Sequence, residues 1–272
     1  MVQIEENVRE ADVFVVQTAA PPLHQNIFEL LIMIDALKSA SAARVTAVIP
    51  YFPYVRSDKK DRPRISITAK LMADLLSAAG ADRVLTMDLH SAQIQGFFRC
   101  PTDQLQAINL MCDYLRTSDL SNAVLVASDA GEAKDVARYT SRLDLPMAII
   151  DKRRVADDEN PRAAHIIGEV KGKRCILVDD EIASAGTLLT ATELLLAHGA
   201  VDVRGVATHA VLSGRAVERI AASPIAEVIV TDTIAIPEAH RIPKITVLSV
   251  DRLLADAIRS IHDGTSVSAL FQ

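Results

Sequence analysis

Tryptophan is absent, and only 4% of the residues are aromatic. A core must therefore be aliphatic, and the 50% hydrophobic content points to Val/Ile/Leu/Ala sheets flanked by helices. Cysteine is scarce too. Cys100, Cys112 and Cys175 are odd in number, far apart and without metal-ligand spacing. They read as reduced thiols of a cytoplasmic protein, not as a disulfide framework or a zinc site. No apolar run approaches the roughly 20 residues that a membrane span needs. The opening stretch MVQIEENVREAD is acidic and lacks the apolar core of a secretion signal. Positive charge is in deficit: the net charge of −6 argues against non-specific nucleic-acid binding. Low-complexity segments and short repeats are also lacking. The 272 residues are long for one core and comfortable for two α/β domains.

What is present centres on Arg174 to Leu189, RCILVDDEIASAGTLL. Cys175–Val178 is an apolar run suited to a strand buried on both faces. Asp179 and Asp180 stand at its end. Ala183, Ser184, Ala185, Gly186 and Thr187 follow, and then Leu188, Leu189, Leu194 and Leu195 recur at helical spacing. A strand, a small-residue turn and a helix start offer free N–H groups and the helix dipole to an anion. Ser184 and Thr187 add hydroxyls. The two carboxylates repel a phosphate, so they would hold sugar hydroxyls or a metal ion, and a phosphorylated sugar satisfies both halves. The same residues also suit an ordinary βα turn with an Asp pair at the helix cap.

Elsewhere apolar strands alternate with helical periods. Strands are expected at 13–16, 44–49, 83–87, 123–127, 147–150, 201–208, 227–231 and 245–248. Helices are expected at about 24–40, 67–78, 105–116, 132–142, 214–222 and 250–262. This order implies mostly parallel sheets with helices on both faces. Asp151 to Arg162 is charged and poor in apolar residues, which reads as a flap. The boundary between domains is placed near residue 105, giving an N-terminal domain of 1–105, which the C-terminal tail can rejoin, and a C-terminal domain of 106–272.

In open α/β sheets ligands bind at the carboxyl ends of strands. Polar clusters fall at several such ends: Asp88/His90, Ser128/Asp129, Lys152/Arg153/Arg154 and Asp179/Asp180. Each has a plainer reading. His90 can be structural, Asp129 an N-cap, and the basic triplet a solvated charge run. The mixed-sign loop Arg56 to Arg62 suits either salt-bridged surface or a nucleotide clamp. Their joint placement favours an enzyme acting on phosphates and sugars.

Several long motifs sharpen this. FPYVRSDKKDRPR (52–64), ITAKL (67–71), GADRVLTMDLHSAQIQGFF (80–98), AIIDKRR (148–154) and ILVDDEIASAGT (176–187) resemble the ribose-phosphate pyrophosphokinases, or PRPP synthetases. ELLIMIDALKSASA (29–42) and SGRAVERI (213–220) fit as well, so the likeness runs nearly end to end. The resemblance implies an α/β fold of two phosphoribosyltransferase-type domains, each a mostly parallel sheet flanked by helices. It implies pyrophosphoryl transfer from Mg-ATP to ribose 5-phosphate, with Mg²⁺ as cofactor, in a cytoplasmic homo-oligomer built from dimers and commonly hexameric. By position, Arg56, Ser57, Asp58, Lys59, Lys60 and Asp61 resemble the ATP loop. His90, with Asp88, and Asp129 resemble the metal-linked residues. Lys152 resembles the catalytic lysine and Arg154 its partner. Asp179, Asp180, Ala183, Ser184, Ala185, Gly186 and Thr187 resemble the ribose-5-phosphate loop.

The chain departs from the family pattern at definable positions. Ser57 stands where Gln is usual, Arg99 at a usually acidic position, Ser128 for Pro and Glu132 for a second Gly. In the family's D-D-x-x-D-T-x-G-T loop, Ala183 replaces the third acid and Ser184 the Thr. The chain opens at VQIEENV without the family's first strand and the loop before it, which in the family reaches a neighbouring adenine site. These departures make a weak or inactive homologue, serving as a regulatory subunit, the rival expectation. A phosphoribosyltransferase consuming PRPP fits 176–187 but neither Arg56–Asp61 nor the Lys152 segment.

Overall fold

A computed structural model describes residues 2–152 and 164–271. In chain order the elements are β1 (Asp12–Val16), α1 (Leu23–Ser39), β2 (Arg44–Ile49), α2 (Thr68–Ala79), β3 (Arg83–Met87), β4 (Thr102–Leu105) and α3 (Ile108–Arg116). There follow β5 (Ala123–Ala127), α4 (Ala133–Leu143), β6 (Met147–Lys152), β7 (Ala164–Ile167), β8 (Arg174–Glu181), α5 (Gly186–Ala197) and β9 (Asp202–His209). The chain ends with α6 (Ala216–Ala222), β10 (Glu227–Thr231), β11 (Ile245–Leu248) and α7 (Asp251–His262). Two compact units form. One comprises Met1–Ala107, Thr233–Ala235 and Ser249–Gln272; the other comprises Ile108–Asp232 and Ile236–Leu248.

The N-terminal unit holds a parallel sheet of order β1-β2-β3-β4. Every residue of β2 after Arg44 is buried, as an apolar central strand requires. α1 covers the sheet with Leu30, Ile34 and Leu37, one face of a 3.6-residue period. α2 stops at Gly80, whose φ of +104° is the left-handed cap that glycine tolerates best. A β-carbon there would lie 2.7 Å from Lys38 Cγ, so Gly80 also makes room for α1. Phe52 and Phe98 meet edge to face at 5.2 Å in this core. The C-terminal helix belongs here too. Arg44 Nε donates to Asp12 Oδ1 at 2.7 Å, Arg44 Nη2 donates to the Ile261 carbonyl at 3.0 Å, and His262 Nδ1 lies 2.8 Å from Asp12 Oδ2.

The C-terminal unit holds a seven-stranded sheet of order β11-β10-β9-β8-β5-β6-β7. It is parallel except for β7, which runs antiparallel to β6 with Ile149 opposite Ile167. From β5 the chain steps outward to β6 and then returns to β8 on the other side of β5. The order therefore reverses between β5 and β8, the topological switch point where α/β sheets open a crevice at their carboxyl edge. β5, Ala-Val-Leu-Val-Ala, is buried throughout. Together the units are the expected α/β class: mostly parallel sheets flanked by helices. Two local readings change. Leu105 closes β4 opposite Met87, so α3 starts only at Ile108. β7 had no distinct signature, because AHII is too short for its pattern to show.

Candidate active site

Backbone register gathers the chemistry of the C-terminal unit. Ala127 of β5 pairs with Val178 of β8 and with Ile149 of β6. Ser128–Asp129, Asp179–Asp180 and Lys152 thus stand on the carboxyl edge of three adjacent parallel strands. Lys152 closes β6 opposite Ala164. Arg154, its expected partner, lies outside the described residues.

The turn after β8 is held from behind. Leu212 N–H donates to the Ile182 carbonyl at 2.9 Å, and Ser213 N–H to the Ala183 carbonyl at 2.9 Å. Arg219 Nη1 donates to the Ser184 carbonyl, also at 2.9 Å. Three successive carbonyls thereby point to the 212–219 segment. Ala185 follows in the left-handed region at φ +60°, and α5 begins at once. A left-handed residue entering a helix makes a nest of N–H groups, and the first turn of α5 has donors without helical acceptors. No acidic residue stands in that first turn. Ser184 and Thr187 are exposed, and the Gly186 N–H lies 3.4 Å from Ser184 Oγ. Donors in such an arrangement suit an anion.

Acids crowd the other side. Asp179 Oδ1 accepts from the Asp180 N–H at 2.8 Å, and Asp180 Oδ1 from the Glu181 N–H at 3.0 Å. Asp129 Oδ1 accepts from the N–H groups of Gly131 (2.7 Å) and Glu132 (3.2 Å), organising the entry to α4. Glu132 Oε2 in turn accepts from Ser128 N–H and Oγ–H. Burial, then the Glu132 charge and the adjacent Asp180, pushes the Asp179 carboxyl up to about 9. Burial also raises Glu132, and the Asp129 and Asp180 charges add to the effect against the Ser128 hydrogen bonds. Crowded acids that resist ionising are suited to a dication or to sugar hydroxyls.

In the N-terminal unit the expected ATP loop follows β2, and the Asp88–His90 segment follows β3, the neighbouring strand. Ser57 is bound into the start of α2. Its hydroxyl donates to the Ser66 carbonyl at 3.1 Å and lies 3.3 Å from the Thr68 N–H. Asp58 is buried and accepts from Gln93 Nε2 at 2.9 Å, which ties the loop to the segment after His90. Arg56, Lys59, Lys60 and Asp61 are exposed, as is His90. Asp88 Oδ2 accepts from the Ala107 N–H at 2.8 Å, so one of its oxygens fastens β3 to the approach to α3. Sequence reasoning weighed Glu132 only as a departure and passed over Arg219 altogether. Arg219 sits within the matching stretch 213–220, but its contact with a carbonyl 35 residues earlier has no sequence signature.

Parallel α/β units with a small-residue βα turn beside paired acids match the enzymes of the phosphoribosyl class. Residues 1–80 match the model of the N-terminal domain of ribose phosphate pyrophosphokinase, and residues 154–272 that of the phosphoribosyl synthetase-associated domain. The chain belongs to the ribose-phosphate pyrophosphokinase family. The ribose-phosphate pyrophosphokinase of Caldanaerobacter subterraneus subsp. tengcongensis is 52% identical over 271 residues, covering 99% of this chain and 85% of that protein. The Deinococcus radiodurans protein of that name is 50% identical, covering 100% and 86%. The crystal structure of phosphoribosylpyrophosphate synthetase from Mycobacterium smegmatis superposes with a TM-score of 0.92 at 44% identity, covering 97% of this chain and 87% of that one.

Proposed function

We propose that this chain transfers the pyrophosphoryl group of Mg-ATP to the 1-hydroxyl of ribose 5-phosphate, giving PRPP and AMP for nucleotide biosynthesis. The observation that carries this reading is the turn at 182–187, its first three carbonyls tied back and α5 starting at its end, beside Asp179 and Asp180 at the β5/β8 switch point. In this reading the Ser184–Thr187 turn takes the 5-phosphate, and Asp179 and Asp180 orient the ribose hydroxyls. Arg56 to Asp61 hold ATP. Lys152 and Arg154 offset the charge that develops as O1 bonds to the β-phosphorus and the bond to the departing AMP breaks.

The acids fit Mg²⁺. Among the described residues no three His, Cys, Asp or Glu side chains converge as a ready-made metal cage. Magnesium accepts this, since it keeps several waters and binds through one or two carboxylates plus substrate phosphates. His90 with Asp88, in the N-terminal unit, are the residues assigned to it; Asp129, in the C-terminal unit, is assigned separately to Mg²⁺ or the ribose. When bound, Mg²⁺ would neutralise phosphate charge.

A cytoplasmic homo-oligomer completes the proposal. Exposed Phe28 and Ile32, one helical turn apart on α1, and Leu71 on α2 supply apolar surface for a second copy. Among the described residues no helix is long and apolar enough to cross a membrane. No observation favours the regulatory-subunit reading. The deciding assay is AMP formation from ATP: it is expected to require both ribose 5-phosphate and Mg²⁺. Folded protein that binds ribose 5-phosphate yet forms no AMP would overturn the assignment in favour of the regulatory subunit.

A further inference from the structure

We infer that Arg219, on α6, is a positioning and affinity residue for the 5-phosphate of the sugar, bonded to the loop through the Ser184 carbonyl. The inference rests on the assignment of ribose 5-phosphate to residues 179–187. Arg219 Nη1 donates to the Ser184 carbonyl at 2.9 Å. A β-carbon on Gly186 would lie 3.8 and 3.9 Å from its two terminal nitrogens. The guanidinium therefore lies beside both Ser184 and Gly186. Among the described residues Arg219 forms no ion pair, whereas its neighbours Arg215 and Glu218 neutralise each other at 2.6 Å. An exposed, uncompensated cation thus stands at the entry to α5, in a unit whose other side carries Asp129, Glu132, Asp179 and Asp180.

Among the described residues only one of the five guanidinium donors is committed, to the Ser184 carbonyl. The planar fork leaves others for a phosphate oxygen, and such charge-assisted bonds are stronger than neutral ones. The same contact fixes the Ser184 carbonyl, so Arg219 acts twice: it sets the loop, and it adds positive charge next to the nest of N–H groups. Lysine can supply the charge but not the fork. The interaction is directed at the phosphate and is present before and during the reaction. Its loss should therefore weaken binding of the sugar phosphate far more than it slows turnover.

Calorimetry with ribose 5-phosphate, unphosphorylated ribose and inorganic phosphate, alongside steady-state kinetics, tests this. Arg219→Ala should weaken ribose 5-phosphate and inorganic phosphate by roughly ten- to a hundredfold, leaving ribose affinity and KM for ATP unchanged. Arg219→Lys should recover part of the loss. Equal losses of ribose and sugar-phosphate affinity in both variants, with a lowered Tm, would reduce Arg219 to a structural prop and overturn the inference. Thr187→Val separates this inference from the site assignment beneath it. Weakening by Thr187→Val without any by Arg219→Ala overturns this inference alone. Affinity indifferent to Thr187→Val removes the sugar phosphate from the loop and overturns both.

Discussion

Ser128 donates to Glu132 Oε2 twice, from its hydroxyl at 2.8 Å and from its backbone N–H at 3.2 Å. A carboxylate fixed in this way cannot swing out to solvent, so its charge acts on Asp179 across the switch point. Burial first, and that charge second, holds the Asp179 carboxyl at about 9.

A pH signature follows. The folded chain binds the Asp179 proton more tightly than the unfolded chain, where the carboxyl titrates near 3.8. The stability it contributes is complete at acid pH and is lost as pH climbs towards about 9. Tm should therefore decline from roughly pH 5 to pH 9. Glu132→Gln, which keeps the shape and removes the charge, should make that decline shallower. Scanning calorimetry across this range checks it. Parallel profiles for the two proteins would show that the carboxylates do not sense each other.

Lys152 closes β6 on the same strand edge as Asp129 and Asp179. If it meets the transferring phosphoryl group, Lys152→Ala should lower kcat by about a hundredfold or more, the scale seen when one preorganised charge-stabilising group is lost. Its Tm should be unchanged. Single-turnover formation of AMP is the direct readout. Wild-type turnover in the variant would take Lys152 out of the chemistry.

The strands were legible because their apolar and β-branched residues run together, with only Thr46 and Thr246 as polar members of the three runs that follow. Val45–Ile49, Ala123–Ala127 and Ile245–Leu248 form where the pattern places them. α1 and α7 were legible from the 3.6-residue period of Leu30, Ile34 and Leu37, and of Ala257 and Ile261. β4 and β7 were not, since TDQL and AHII are four residues each and depend on a neighbouring strand for their pairing. The small-residue turn after Asp179 and Asp180 could be read from types and spacing as a strand-to-helix turn that offers N–H groups. The pinning of that turn could not, because Leu212, Ser213 and Arg219 reach it only through the tertiary fold. Asp129 is not the cap of α4 that its plainer reading expects: Glu132 holds that position, and Asp129 instead binds the Gly131 and Glu132 N–H groups in the turn ahead of the helix.

The Asp12–Arg44–His262 cluster should govern how the last helix stays docked. The Arg44 hydrogen bond, foremost, holds the Asp12 carboxyl below its usual range. An acid depressed in the folded state contributes stability above its unfolded value and loses it as pH falls through the folded value. Asp12→Asn should lower stability by about 1 kcal/mol at neutral pH and make the acid limb of the stability profile shallower. Chemical denaturation at pH 7 and pH 4 measures both. Hydrogen exchange should show α7 opening more readily in the variant. Identical protection of α7 in the two proteins would place its anchorage elsewhere.

Ala183 offers the most specific test of the sugar site. Its carbonyl is occupied by the Ser213 N–H, so the backbone there is set independently of the side chain. The methyl group can accept nothing from a ribose hydroxyl. Ala183→Asp supplies an acceptor without disturbing that bond, and a hydrogen bond of this kind is worth about 1–3 kcal/mol when its donor would otherwise be left unpaired. KM for ribose 5-phosphate should fall accordingly while KM for ATP holds steady, since the ATP loop belongs to the other unit. The added carboxylate joins Asp129, Glu132, Asp179 and Asp180, so the gain should also require more Mg²⁺ to be realised. Kinetics at varied Mg²⁺ would separate the two effects. A variant with unchanged KM for ribose 5-phosphate at every Mg²⁺ concentration would show that position 183 does not face the sugar.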